Sequence, residues 1–356
     1  MNKLDELLQE TFDSDYISDL HLTTYDRPYI RRDGRLKPIE DHDGRLEKQE
    51  MEDILQELMS PANREEFEKR GEVDFSYDYE GRGRFRVNVF KQMGITGVAL
   101  RVIPAETPDI EDYRLPGVLK SLAAQERGFI LSTGPTGSGK STTQAAIINE
   151  INNTREAHIV TLEDPIEYLH ENDKSLIRQR EVGTDTTSFA RGLRAALRQD
   201  PDVILVGEMR DLETIRIALE AAETGHLVLA TLHTNSAPAS VDRIIDVFPA
   251  NQQDQVRVQL ASVLSAIIAQ QLLPRGYDEG QIAAFEILIA TPAVRNIIRE
   301  GKSSQLYTAI QTGGKKQMTT MDNYLIKLLK RREITRDTVM RYCFDHDYVK
   351  KALGRN

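Results

Sequence analysis

Eight consecutive residues, Gly134-Pro135-Thr136-Gly137-Ser138-Gly139-Lys140-Ser141, fit the spacing G-x-x-x-x-G-K-S/T. The chemistry this spacing serves is the holding of a polyphosphate. Glycines let the backbone curl so that several N–H groups point inward, and the start of the following helix adds partial positive charge. Lys140 would reach the β- and γ-phosphates and Ser141 would ligate Mg²⁺. Thr142 is the next residue of the candidate nucleotide-binding set. A chance glycine turn is the competing reading. The context opposes it: Gly128-Phe129-Ile130-Leu131-Ser132-Thr133 reads as a buried strand before the loop, and Thr142 to Asn152 as a helix after it.

Three later runs end apolar stretches in polar side chains. Asp202-Val203-Ile204-Leu205-Val206-Gly207-Glu208 reads as a buried strand closed by a carboxylate. Beside a phosphate loop, Glu208 can hold the Mg²⁺ water shell or polarise an attacking water. Many strands end in Glu, so the signal depends on following the loop. Thr161-Leu162-Glu163-Asp164-Pro165-Ile166-Glu167 closes a strand that begins near His158. Such acids fall at the carboxyl edge of an open α/β sheet, where ligands bind. Glu163 is the candidate for orienting or deprotonating water; the alternative is a turn or N-cap acid, Asp164 before Pro165 being a normal turn pair. Thr224 to Thr234 sets one histidine at each end of a strand. His233 falls at the carboxyl end, where a neutral imidazole can hydrogen-bond a γ-phosphate and report its presence. His226, at the other end, reads as stabilising an interface or loop.

The arginines stay ambiguous. Arg191, Arg194 and Arg198 share a helical face, and Arg180 lies upstream of them. Such groups either stabilise transferring phosphate charge or form a solvated, ion-paired face, with Arg198 complementing a helix C-terminus. Arg84, Arg86 and Arg101 fall on a half-exposed sheet, where charge needs no function.

What must position these groups is a parallel sheet. From Gly117 onward, short apolar runs (129–132, 158–162, 203–206, 227–232) alternate with helical patterns, which predicts an α/β domain with a doubly wound sheet. Residues 1–103 read as a smaller α+β domain. Leu4, Leu7 and Leu8 mark an opening helix, 19–22 and 29–32 strands, Asp33-Gly34 a hairpin, and Ile54, Leu55 and Leu58 a helix ending before Pro61. Arg64 to Lys69 suggests another helix. Phe85, Val87 and Val89 alternate with Arg84, Arg86, Asn88 and Phe90, and a further strand follows at 97–103. Prolines 104, 108 and 116 punctuate a linker over 104–116, leaving 117–356 as the second domain with a helical, charged tail. A length of 356 residues suits two domains. The net charge of −10 argues against nonspecific DNA binding. Cys343 is the single cysteine, which excludes an intramolecular disulfide and a cysteine zinc cage. The N-terminal run lacks the pattern of a secretory signal and no apolar stretch is long enough to span a membrane, so a cytoplasmic protein is expected.

Together these motifs resemble those of the secretion ATPases, specifically the PilT-type pilus retraction motors, over essentially the whole chain. Ser18-Asp19-Leu20-His21-Leu22 resembles the family's N-terminal S-D-L-H signature, without the glycine that often precedes it. Gly83 to Asn88 resembles its arginine-bearing strand. Residues 163–167, 207–211 and 222–226 look like its Asp box, Walker B and His box. Ala293-Val294-Arg295-Asn296-Ile297-Ile298-Arg299-Glu300 resembles the A-I-R-N-L-I-R-E signature of retraction motors, with conservative Val and Ile replacements. Assembly motors usually carry a four-cysteine zinc site, which one cysteine cannot supply.

The resemblance implies a PAS-like α+β domain joined to a RecA-like P-loop ATPase domain, assembled as a homohexameric ring. It implies ATP and Mg²⁺ as cofactors, and a cytoplasmic protein peripheral to the inner face of the cytoplasmic membrane. Its partners would be an inner-membrane pilus platform protein and a paralogous retraction ATPase, with no nucleic acid. By the same resemblance, Arg84, Arg86, Arg101 and Arg180 are sensor or finger candidates. The alternatives are an accessory retraction paralogue, a pilus-assembly or type II secretion ATPase, a RecA-like DNA motor, and a nucleotide-gated adaptor without turnover. In residues 293–300, Val294, Ile297 and Ile298 are expected inward, and Arg295, Asn296, Arg299 and Glu300 outward.

Overall fold

Apolar–polar alternation, clearest over Phe85, Val87 and Val89, builds an antiparallel sheet with one apolar face packed on a core. A computed structural model describes residues 3–13, 17–32, 35–39, 44–79, 83–103, 107–276 and 280–354. It divides the chain into two compact units, Met1–Glu106 with Pro165–Leu169, and Thr107–Asp164 with His170–Asn356. In the first unit the order is α1 (Lys3–Asp13), β1 (Ile17–Thr23), β2 (Tyr29–Arg32), β3 (Arg35–Pro38), α2 (Lys48–Leu58), α3 (Pro61–Arg70), β4 (Glu72–Tyr79), β5 (Gly83–Gln92) and β6 (Ile95–Ile103). The six strands lie side by side as β3-β2-β1-β6-β5-β4. Phe85, Val87 and Val89 are buried with Leu20, Leu22 and Leu100, and Leu4, Leu7, Leu8 and Ile54 of the helices close over them. The helix expected from Arg64 starts earlier, at Pro61. Ser60 accepts the Asn63 N–H at 3.2 Å as N-cap, and proline suits a first helical position that needs no N–H. The Asp33-Gly34 hairpin signal lies outside the described residues.

The second unit runs α4 (Val118–Ala123), β7 (Gly128–Thr133), α5 (Lys140–Thr154), β8 (His158–Glu163), β9 (Leu176–Glu181), α6 (Phe189–Ala196), β10 (Val203–Val206), α7 (Leu212–Glu223), β11 (Leu227–Leu232), α8 (Ala237–Asp246), α9 (Ala250–Val263), β12 (Leu264–Pro274), β13 (Gln281–Ile289), α10 (Pro292–Arg299), α11 (Leu306–Thr312), α12 (Met321–Lys330), α13 (Arg336–Tyr342) and α14 (His346–Ala352). Its sheet has the order β13-β12-β7-β11-β10-β8-β9, parallel except for the edge strand β13. The four apolar runs of the sequence are its centre. Every residue of β7, β10 and β11 is buried. Phe129 and Leu131 face one core, with Leu162, Ile204 and Val228, while Ile130 faces the other, with Ile159, Leu205 and Leu229. Helices cover both faces, which is why these strands are continuously apolar. Three strands, β9, β12 and β13, go beyond the sequence expectation. β9 is a charged edge strand, and β12 follows α9 with no connecting residue. From Thr107 the chain counts with this unit, and Ile110 is buried in its core. Among the described residues no helix is long and apolar enough to cross a membrane.

Candidate nucleotide site

The buried strand β7 delivers its glycine loop to the carboxyl end of the central sheet. Gly134 has φ of +150°, and a Cβ there would stand 2.4 Å from the Gln270 carbonyl oxygen, so no other residue fits. Gly139 caps α5 in the left-handed region at φ +85°. The first turn of α5 holds no acidic residue, so its N-terminal N–H groups are available to an anion. Lys140 is buried and folds back, donating to the Gly134 carbonyl at 2.9 Å and the Pro135 carbonyl at 3.0 Å. Ser138 Oγ is buried with no hydrogen-bond partner among the described residues. An unmet hydroxyl, a cradle that excludes Cβ atoms and an uncompensated helix start fit a polyphosphate. Ser141 and Thr142 follow in the first turn, half-buried.

Two glutamines invisible to motif reading hold the loop. Gln270, on β12, donates Nε2 to the Ser138 carbonyl at 2.6 Å. Gln144, on α5, donates to Ser132 Oγ at 2.8 Å and to the Ala230 carbonyl at 3.2 Å. Beside the helix start lies a cleft of 460 Å³, bordered by Gly139, Thr142 and Gln270 and, beyond them, Tyr113, Arg275 and Tyr324. Its size suits a small-molecule ligand.

The parallel registers bring the acids and the histidine to the same edge. Leu232 pairs with Thr133, and Val206 with both Ala230 and Leu162. Glu208, Glu163 and His233 therefore leave the sheet beside the loop. Glu208 Oε1 sits 3.0 Å from His233 Nε2, and Oε2 sits 2.7 Å from an Arg210 guanidinium nitrogen. Burial works against the charge of Glu208, but the Arg210 hydrogen bond and charge, with His233, outweigh it and hold the carboxyl below its ordinary range. Arg210 is the member that sequence reasoning missed. The sequence expectation offered His233 to a phosphate; here its Nε2 is engaged by Glu208, so a phosphate contact through that nitrogen requires release of the carboxylate. The chain after His233 is pinned twice. Thr133 Oγ1 bonds the Thr234 hydroxyl at 2.6 Å, and the Ala237 N–H at the start of α8 donates to Glu286 at 2.8 Å. Burial pushes the Glu286 carboxyl up despite that bond.

Glu163, the last residue of β8, accepts on Oε1 from Thr161 Oγ1 at 2.6 Å and from Gln179 Nε2 at 3.2 Å. Arg180 alternates with Gln179 on β9 and stands on the opposite sheet face, its guanidinium donating to the Asp185 carbonyl at 3.0 Å. It does not join the Glu163 group. Arg194 pairs with Glu213, and Arg198 donates to the Arg194 carbonyl at 3.1 Å, beyond the end of α6. This is the ion-paired, helix-ending role. His226 Nδ1 meets the Ala221 carbonyl at 2.8 Å at the end of α7. In the first unit, register aligns Arg86 with Arg101, Arg101 with Asp19, and Asp19 with Arg31, a row on the face opposite the core. Arg84 shares that face two residues before Arg86. Arg101 Nε donates to Asp19 Oδ1 at 2.9 Å while its side chain stays 67% exposed. Burial opposes the Asp19 charge, yet the Ser18 hydroxyl and Arg101 hold its carboxyl below the ordinary value.

Mg²⁺ keeps several waters and takes few protein ligands. The Ser141 hydroxyl, with Glu208 acting through water, fits that habit; no cluster of three or more His, Cys, Asp or Glu side chains arranged for a metal occurs among the described residues. One expectation is corrected. Arg295 is half-buried and turned onto main-chain carbonyls instead of projecting freely: its Nη1 donates to the Ala261 and Ser262 carbonyls, each at 2.6 Å, and its Nε to the Ala290 carbonyl at 3.0 Å. It clamps the end of α9, whose last carbonyls lack helical partners. Val294 and Ile298 are buried as expected, Ile297 half-buried, and Asn296 and Glu300 exposed.

Residues 2–336 match the family model described as type II/IV secretion system protein. The chain is 48% identical over 320 residues to the type IV pilus retraction ATPase PilT of Pseudomonas aeruginosa, covering 90% of this chain and 92% of that one. It is 47% identical over 314 residues to a twitching motility protein of Neisseria gonorrhoeae, covering 88% and 83%. A crystal structure of the pilus retraction motor PilT with bound ADP superposes with a TM-score of 0.91, at 47% identity and 99% coverage of both chains.

Proposed function

We propose, from the premise that this chain belongs to the type II/IV secretion system protein family, that it is an ATP-hydrolysing motor powering type IV pilus retraction. The observation that carries the reading is the convergence of Lys140, Glu208, His233 and Glu163 at one sheet edge, in a chain so similar to PilT along its whole length. Mg²⁺, when bound, supplies charge neutralisation between the phosphates, with Ser141 and the water-linked Glu208 holding it. Lys140 exchanges two carbonyls for phosphate oxygens. Glu163 orients the attacking water and takes its proton. His233 stands between Glu208 and the γ-phosphate, so that its hydrogen bond reports which is present. Arg84, Arg86 and Arg101, carried together on one sheet face, serve as phosphate sensors, and Arg180 is a fourth candidate. The assembly is a homohexameric ring on the cytoplasmic face of the inner membrane. It works against a pilus platform protein, with a paralogous retraction ATPase as a further partner.

The test is a strain lacking the gene, complemented with wild type or Lys140→Ala. Long, static pili and no twitching in the deletion and in Lys140→Ala support a retraction motor. Absence of pili assigns assembly instead, and normal ATP hydrolysis by purified Lys140→Ala removes the reading of the loop.

A further inference from the structure

Resting on the reading of Glu163 as the group that takes the proton, we propose that Gln179 is its positioning residue, an amide clamped at both ends so that it aims the carboxylate without neutralising it. In the parallel pair β8 and β9, Gln179 lies opposite Thr161. Side chains two residues apart share a sheet face, so Thr161, Glu163 and Gln179 stand together. Thr161 Oγ1 and Gln179 Nε2 both donate to Oε1 of Glu163, at 2.6 and 3.2 Å. Two donors on one oxygen fix the plane of the carboxylate.

The other end of the amide is also held. Gln179 Oε1 accepts the His170 backbone N–H at 2.9 Å. That bond selects one of the two amide orientations. The flipped amide would set its NH₂ against the His170 N–H and its oxygen against the carboxylate, and both contacts are repulsive. The donor toward Glu163 is therefore obligatory. The same bond ties the end of the segment that leaves β8 after Glu163 back onto the neighbouring strand, so backbone and carboxylate are placed by one side chain.

The choice of amide has a chemical reason. Arg or Lys in this place would form an ion pair with Glu163 and reduce its basicity. Neutral donors orient a carboxylate while leaving its charge available to a water.

Two isosteric variants of the full-length protein separate this role from simple packing. Gln179→Met fills the same space and loses both hydrogen bonds. Gln179→Glu keeps an acceptor for the His170 N–H and replaces the donor with a like charge. Steady-state hydrolysis of Mg–ATP gives kcat and KM, and a fluorescent ADP analogue gives nucleotide affinity. Each variant should lose about tenfold or more in kcat, the order of one hydrogen bond to a charged group, with KM and analogue affinity held within about twofold. Combined with Glu163→Gln, either variant should be no slower than Glu163→Gln alone, because the group being aimed is already disabled. Wild-type kcat in either single variant overturns the inference, as does a loss that multiplies in the double variant. If Glu163→Gln itself hydrolyses at the wild-type rate, the reading of Glu163 falls, whatever Gln179 does.

Discussion

Arg295→Ala should destabilise the ATPase unit rather than uncouple it. The guanidinium makes three bonds to main-chain carbonyls, two at 2.6 Å and one at 3.0 Å. Hydrogen bonds from a charged donor contribute about 1.5–3 kcal/mol each, and they do not add when one side chain makes them all. Ser262 is exposed and water can replace its partner, while Ala261 is fully buried. After that discount for solvent, the loss is about 2–3 kcal/mol, set mainly by one buried carbonyl left without a donor. For a unit of this size that corresponds to a fall of about 5–10 °C in the unfolding midpoint. Thermal unfolding of the purified variant, followed by circular dichroism, measures it. Arg295→Lys should recover less than half of the loss, because an ammonium cannot span three carbonyls as a planar fork does. Glu300→Ala removes only exposed partners, Asn296 and Lys302, and should leave the midpoint where it is. A wild-type midpoint for Arg295→Ala, or full recovery with lysine, refutes the clamp. If it holds, loss of retraction in Arg295→Ala cannot be read as loss of a partner contact, and Glu300→Ala becomes the cleaner probe of docking.

Glu208→Gln keeps the shape but not the charge that engages Arg210 and His233; it should bind ATP with near-wild-type affinity and turn over at least about tenfold more slowly, a barrier change of about 1.4 kcal/mol. Separate measurements of nucleotide affinity and kcat check this, and an unchanged kcat contradicts it. Burial holds the His170 imidazole down at about 4, from an ordinary 6.5. Between those values the unfolded chain binds a proton that the folded chain refuses, so this contribution is complete above pH 6.5 and drains as pH falls toward 4. Its full size is about 3 kcal/mol. Urea unfolding at pH 7 and pH 5 should show the wild type losing more stability on acidification than His170→Phe; equal losses would dissociate His170 from the acid sensitivity.

The candidate phosphate loop is legible in the chain because its chemistry is local. Closely spaced glycines, a lysine and a helix start specify the cradle, and the apolar run before it specifies a strand buried on both faces. The same locality exposes Glu163, Glu208 and His233, each the polar end of an apolar run. Partnership is another matter. Gln270, Gln144 and Gln179 look like ordinary polar residues until β12 is laid against β7, α5 against the sheet, and β9 against β8. Glu208 and His233 lie on different connections and meet only because β10 and β11 are neighbours. Arg295 sits at a helical position that periodicity assigns to solvent, yet the end of α9 lies within its reach. Periodicity gives the direction in which a side chain leaves its own element. It carries no information about unsatisfied carbonyls or carboxylates on a segment distant in sequence, and hydrogen bonds to such groups are decided by strand order and helix packing alone.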